Sequence, residues 1–253
     1  MLKPISFVLL LAAVPCAQAS TICKLLAESS NDRLIRQEGP CETAAAPMST
    51  FKLAISLMAY DAGILADEHQ PVWPFKPGYV DWREEWKQDT DPAQWMASSV
   101  VWYSQQITLR LGEQRFARYT HQFNYGNEDV SGGLAKAWLN TSLQISPRGQ
   151  LAFLGRMVRR ELGVSAQAYD MTASIAYYGK LANGWQVYGK TGAGSYGANG
   201  KLGWYVGWAT KAGHTVTFLQ QRLESDDTLA GPAGLRARDA MLAELPAWLD
   251  GLQ

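Results

Sequence analysis

Ser49-Thr50-Phe51-Lys52 sets a hydroxyl and an amine three residues apart, where the loop Ala44-Ala45-Ala46-Pro47 gives way to a helix-like run over residues 51–60. One helical turn brings both side chains to one face, close enough for the amine to take the hydroxyl proton. A serine at a helix start also meets outward-pointing backbone N–H groups, which favour the oxyanion of acyl transfer. An N-cap serine and a solvated lysine are the bland alternative, and residue frequencies give roughly one chance S-x-x-K in a chain of this length. Lys190-Thr191-Gly192 narrows the choice, because it follows a strand-like run and is far rarer by chance. A strand edge can hydrogen-bond an amide-containing substrate along its backbone, and a cation there suits a carboxylate.

The elements that must position these residues follow from local pattern. Residues 22–26 and 34–37 flank the turn-rich Ser29-Ser30-Asn31-Asp32 and predict a short hairpin. Residues 63–87 carry Pro71, Pro74 and Pro77 and are too broken for a long element. Asp91-Pro92 reads as an N-cap with proline at the first helical position, opening a helix toward Val101. Ser146-Pro147 repeats the signal, and Leu151, Leu154, Met157 and Val158 keep helical spacing until Gly163. Residues 185–189, 203–209 and 215–223 are strand-like, the last two joined by the tight Lys211-Ala212-Gly213 turn. The Gly-rich residues 193–201 read as a loop beside the substrate strand, and a last helix covers 234–245. The resulting class is α/β (α+β): an antiparallel sheet from both chain ends, flanked by helices, with a helical lobe inserted at roughly 63–170. Ser49 then belongs in the cleft between sheet and lobe.

Composition bounds the rest. Residues 1–19 read as a secretory signal: Lys3, an apolar run over 7–14, and the cleavage site Ala17-Gln18-Ala19. Export to the periplasm is the expectation, with 20–253 as one catalytic domain. No segment approaches the roughly 18 to 20 apolar residues of a membrane span, so no membrane anchor is expected. Cys16 leaves with the leader, so Cys23 and Cys41 pair as a disulfide in an oxidising compartment or stay as two buried thiols. His69, His121 and His214 are scattered, which argues against a metal site. A net charge of zero, with both signs mixed along the chain, gives no footprint for nucleic acid. The oligomeric state has no signature here.

Ser49-Thr50-Phe51-Lys52, Ser99-Val100-Val101, Tyr125-Gly126-Asn127, Trp138-Leu139, Lys190-Thr191-Gly192 and Trp204-Tyr205-Val206-Gly207 occur in an order that resembles the class D, oxacillinase-type, serine β-lactamases. S-x-x-K with K-T-G is common to serine β-lactamases and penicillin-binding proteins. Tyr-Gly-Asn in place of Ser-Asp-Asn, and no glutamate near Trp138 to act as a separate base, point to class D.

The resemblance implies the serine β-lactamase and penicillin-binding fold and hydrolysis of β-lactam antibiotics through an acyl-enzyme. Ser49 is then the nucleophile. Lys52 is carboxylated by carbon dioxide to N6-carboxylysine and acts as general base in both half-reactions, so no cofactor is needed beyond carbon dioxide or bicarbonate. An apolar pocket depresses a lysine pKa, and only the neutral amine attacks carbon dioxide. Trp138 gives the carbamate an indole N–H, and Val101 and Leu139 cover the pocket. Ser99 relays a proton to the leaving nitrogen. Lys190, Thr191 and Arg236 hold the substrate carboxylate, with Arg238 two residues away as a rival. The N–H groups of Ser49 and Ala193 form the oxyanion hole, and Tyr125, Gly126 and Asn127 are cleft architecture.

Bland readings compete. Ser99 as a helix-end serine, Trp138 as plain core and Arg236 as a surface ion-pair residue all fit the sequence. So do two other functions: a penicillin-binding or β-lactam sensor domain that acylates without efficient turnover, and a noncatalytic cell-wall module.

Overall fold

In the computed structural model the described residues are 20–198, 200–224 and 231–252; the expected signal segment lies outside them. Among them six strands form one antiparallel sheet in the order β2-β1-β6-β5-β4-β3. The strands are β1 (Ser20–Glu28), β2 (Leu34–Glu38), β3 (Tyr177–Lys180), β4 (Gln186–Tyr196), β5 (Gly200–Lys211) and β6 (His214–Glu224). The sheet is therefore built from both chain ends, as the strand-like runs predict. The expected hairpins are present: β1 pairs with β2, and β5 turns into β6 with Lys211 opposite His214.

Two apolar layers cover the sheet. Tyr205, Ala209, Val216 and Phe218 pack with Ala237, Met241, Leu245 and Leu249 of α7 (Ala233–Asp250). The alternate residues of β5, Leu202, Trp204, Val206 and Trp208, join the core of the helical lobe on the other face. This is the period-two division of a strand buried on both sides. The lobe comprises α2 (Pro92–Ser98), α3 (Val101–Leu111), α4 (Glu113–Gln122), α5 (Pro147–Val158) and α6 (Ala166–Ala176), gathered around α1 (Lys52–Asp61). Every residue of α1 from Lys52 to Tyr60 is buried, the mark of a helix enclosed on all sides rather than amphipathic.

The caps act as the sequence implies. Asp91 accepts from the Gln94 N–H at 2.7 Å and Ser146 from the Gly149 N–H at 3.1 Å, each followed by proline at the first helical position. Three expectations change. The helix opened by Asp91 does not run on to Val101, because Ser99 adopts φ 59° and splits it into α2 and α3. Residues 193–196 and 200–201 are not loop: β4 continues to Tyr196, with Gly194 opposite Leu202, so the partner strand imposes a ladder that glycine composition hides. The closing helix runs on to Asp250, with Pro246 inside it.

Cys23 and Cys41 are joined in a disulfide 18 residues apart in sequence, tying β1 to the segment that leads to Ser49. Closing a loop of that size restricts the unfolded chain by about 3 kcal/mol. Replacing both cysteines by alanine should lower the unfolding free energy in urea by about that amount. An unchanged midpoint would show that the bond constrains nothing.

Candidate active site

Ser49 does not sit in the first turn of an α-helix but in a 3-10 turn, Met48–Phe51, that feeds α1. Side chains at i and i+3 eclipse in such a turn. Lys52, the first α-helical residue, accordingly places Nζ 3.1 Å from Ser49 Oγ. Lys52 is wholly buried and this is its one hydrogen bond among the described residues. Burial first, then the charges of Lys190 and Arg83, hold its pKa well below the ordinary lysine value. An amine of lowered pKa beside a half-buried serine hydroxyl has the geometry in which a base can take the proton of a nucleophile.

The turn is held from several directions. Thr50 Oγ1 donates to Pro47 O at 2.6 Å and accepts from Gln150 Nε2 at 2.7 Å, and the Tyr125 hydroxyl donates to Gln150 Oε1 at 3.1 Å. Met48, at φ 52°, donates its N–H to Trp138 O at 3.1 Å. Phe51 packs edge-on against Phe116 and Tyr125. Trp204 donates its indole N–H to Ala46 O at 3.2 Å, so the sheet grips the segment from behind.

Gly192 and Gly234 allow the sheet to come this close. A Cβ on Gly192 would stand 3.0 Å from Pro47 O and from Thr50 Cγ2, and one on Gly234 would stand 2.5 Å from Gly192 O. The Ser49 turn, β4 and the start of α7 are thus stacked with no room for a side chain between them.

Each residue expected at the site can now be placed. Ser49, Ser99, Val101, Leu139, Thr191 and Ala193 line one cleft of about 310 Å³ between the sheet and the lobe. Ser99 stands where α2 ends, and its hydroxyl makes no hydrogen bond among the described residues; neighbouring Ser98 is engaged by Gln94 Nε2 at 2.9 Å. Lys190 is buried, with Nζ 3.2 Å from Thr191 O and 3.3 Å from Thr191 Oγ1. Burial, with Arg83 and Arg238 behind it, pushes its pKa down to about 7. Trp138 is wholly buried in the aromatic cluster of Phe51 and Phe116, and its indole N–H has no acceptor among the described residues.

Tyr125, Gly126 and Asn127 form a clamp behind the site. Asn127 donates from Nδ2 to Ser142 O at 2.8 Å, and its backbone N–H donates to Gln144 O at 2.9 Å. A Cβ on Gly126 would lie 2.0 Å from Gln144 O.

Arg236 is held by a carboxylate of the protein itself: Nε lies 2.9 Å from both oxygens of buried Glu224, and Nη1 donates to Gly231 O at 2.9 Å. Arg238 faces the Tyr178 ring and pairs with Asp239.

Trp82, Arg83, Glu85 and Trp86 also line the cleft, and the sequence reading passed over them. Their signal was present: two tryptophans bracketing a charged triplet inside an otherwise proline-broken stretch.

Comparison with known proteins agrees with this geometry. The family described as penicillin binding protein transpeptidase domain matches residues 17–244. Beta-lactamase OXA-9 of Klebsiella pneumoniae is 40% identical over 97% of this chain and 95% of its own length. The crystal structure of OXA-427, a class D β-lactamase, superposes with TM-score 0.88 at 40% identity, covering 92% of this chain and all of that one. The C-terminal domain of the Bacillus licheniformis BlaR penicillin receptor superposes with TM-score 0.81 at 28% identity, covering 90% of each chain. A buried lysine on a cleft serine, a KTG strand stacked behind it, and relatives matched along nearly their whole length place this chain in the class D serine β-lactamases.

Proposed function

We propose that the protein hydrolyses β-lactam antibiotics through a Ser49 acyl-enzyme, with N6-carboxylated Lys52 as the general base. The observations that carry this are a wholly buried Lys52 of lowered pKa and a buried Trp138 indole N–H without an acceptor among the described residues. An orphaned buried donor is costly by about 1–3 kcal/mol unless a group absent from the bare chain satisfies it. A carboxylated lysine supplies an acceptor, and a neutral amine is what carbon dioxide requires.

In this reading Ser49 Oγ attacks the lactam carbonyl carbon while the carboxylated Lys52 takes its proton. The N–H groups of Ser49 and Ala193 receive the oxyanion. The C–N bond of the ring then breaks, and the proton held by Lys52 passes through Ser99 to the departing nitrogen, which frees the Lys52 group again. A water molecule gives that group a proton as it attacks the ester, and the proton returns to Ser49 Oγ as the acyl group leaves. Thr191 and Lys190 hold the ring carboxylate. Arg236 keeps the carboxylate-binding role only if it can share its guanidinium with Glu224. The expected leader on residues 1–19 supports action in the periplasm, and no helix among the described residues is long and apolar enough to cross a membrane.

The runner-up is a β-lactam sensor, favoured by the likeness to the BlaR receptor domain. It differs in one step, because a sensor acylates and stops.

Turnover of a chromogenic cephalosporin in carbon-dioxide-depleted buffer should rise on adding bicarbonate, and carbon-13 bicarbonate should give a carbamate resonance that Lys52→Ala lacks. Stoichiometric acylation without turnover would replace the hydrolase by the sensor, and no resonance at saturating bicarbonate would remove the carbamate. Trp138→Phe keeps the ring contacts and deletes the N–H; it should slow deacylation roughly tenfold to a hundredfold, so that the acyl-enzyme accumulates in mass spectra. Equal slowing of both steps would refute that role.

The pH dependence follows from Lys190. It is charged below about 7 in the free protein and loses its proton as pH rises through that value. The ring carboxylate prefers the charged form, and the negative charge that carboxylation puts on Lys52 raises the Lys190 pKa, so kcat/KM should show a basic limb above about 7, with the limb in kcat displaced further upward by the bound anion. Lys190→Arg keeps its charge at all working pH and should remove the limb. An unchanged profile in that variant would assign the limb elsewhere.

A further inference from the structure

Arg83 occupies an unusual place. It lines the cleft from the helical lobe, between Trp82 and Trp86, while Thr191 belongs to the wall contributed by β4, with Lys190 buried against Thr191. Its guanidinium lies 5.5 Å from the centre of the Trp86 ring, within the range of a cation–π contact. That ring is a fixed platform. Trp86 is buried, its indole N–H donates to Ser98 O at 2.9 Å, and its carbonyl accepts from the Trp102 indole at 2.8 Å. Trp82 stands 6.1 Å from Trp86, ring to ring, and is 67% exposed.

The donors of Arg83 are not consumed. Among the described residues its guanidinium makes no hydrogen bond, and its ion pair with Glu85 is long, 3.6 Å, with both side chains open to water. Such a pair exchanges readily for a better-placed anion. The charge of Arg83 nevertheless reaches the reaction centre, since it depresses the proton affinity of both Lys52 and Lys190. The cleft therefore carries Arg83 on its lobe side and, buried against Thr191 on its sheet side, Lys190, with Ser49 lining the same space.

We propose that Arg83 is a specificity-determining residue that selects β-lactams bearing a second anionic group on the amide side chain, in addition to the ring carboxylate met by Lys190 and Thr191. The guanidinium fork suits a carboxylate bidentately, and the exposed Trp82 offers an apolar face beside it. This inference rests on the β-lactamase reading.

Benzylpenicillin and carbenicillin differ by one α-carboxylate on the side chain and isolate the effect. The readout is the ratio of their kcat/KM values, carbenicillin over benzylpenicillin, for the full chain, Arg83→Gln and Arg83→Lys. The ratio should fall about tenfold in Arg83→Gln, the weight of one charge-assisted hydrogen bond, and recover in large part in Arg83→Lys. In the full chain it should also fall with added salt. A ratio unchanged in Arg83→Gln, whether both constants hold or both drop together, overturns the proposal; a parallel drop would put Arg83 on the ring carboxylate. If the full chain turns over neither compound, the hydrolytic reading fails by itself. Second-order rate constants for acylation of Ser49, read by mass spectrometry, then supply the same ratio for Arg83 alone.

Discussion

The structure depends on one contact: the amine of Lys52 against the hydroxyl of Ser49, sealed from water. Burying a charged ammonium with only a hydroxyl for company costs several kcal/mol even after the surroundings relax. Burial offsets that cost by pushing the lysine pKa well below its ordinary value, toward the neutral amine that the proposed reaction with carbon dioxide requires. Sealing it requires a helix enclosed on every side, which is why α1 is buried from Lys52 to Tyr60. The Ser49–Lys52 pair and the hydrophobic core are thus one construction, and loosening the core around α1 would raise the Lys52 pKa back toward the ordinary lysine value.

Holding Ser49 at the mouth of that sealed pocket is a separate problem. A 3-10 turn with a positive φ at Met48 does not persist by local preference. It is fixed by Gln150 and Tyr125 through Thr50, by Trp138 through Met48, and by Trp204 through Ala46. The sheet adds a wall without thickness at Gly192. Geometry at Ser49 is therefore overdetermined by both lobes, while Trp82 and Arg83 on the lobe-side wall stand open to water.

Short-range chemistry was legible in the sequence. Ser49 with Lys52, the Asp91-Pro92 and Ser146-Pro147 helix starts, and the 211–213 turn are each decided within a few residues, and the structure shows them where the pattern puts them. Pairings between distant residues were not legible. Nothing near Arg236 announces that Glu224 will take its guanidinium, and nothing near Thr50 announces Gln150. The break at Ser99 is a single backbone angle between two stretches of good helix pattern. The Gly-rich 193–196 stretch carries no strand signal of its own and becomes one only because β5 lies alongside. Arg83 was overlooked because its stretch is defined by prolines, and a broken backbone says little about where its side chains aim.

The closure of the sheet has a consequence for the order in which the molecule can be made. β1 begins at Ser20, and its inner neighbour is β6, with Ser20 opposite Leu223. A chain emerging from its first residue onward carries β1 and β2 as an isolated hairpin until nearly the whole polypeptide exists, and two strands alone are marginal in water. Ser49 and Lys52 are made early, yet the strand bearing Lys190 and the helix start behind Gly192 arrive late. Competence to bind and cut thus comes to the growing chain in one late step, after a long interval in which the first strands have no sheet to join.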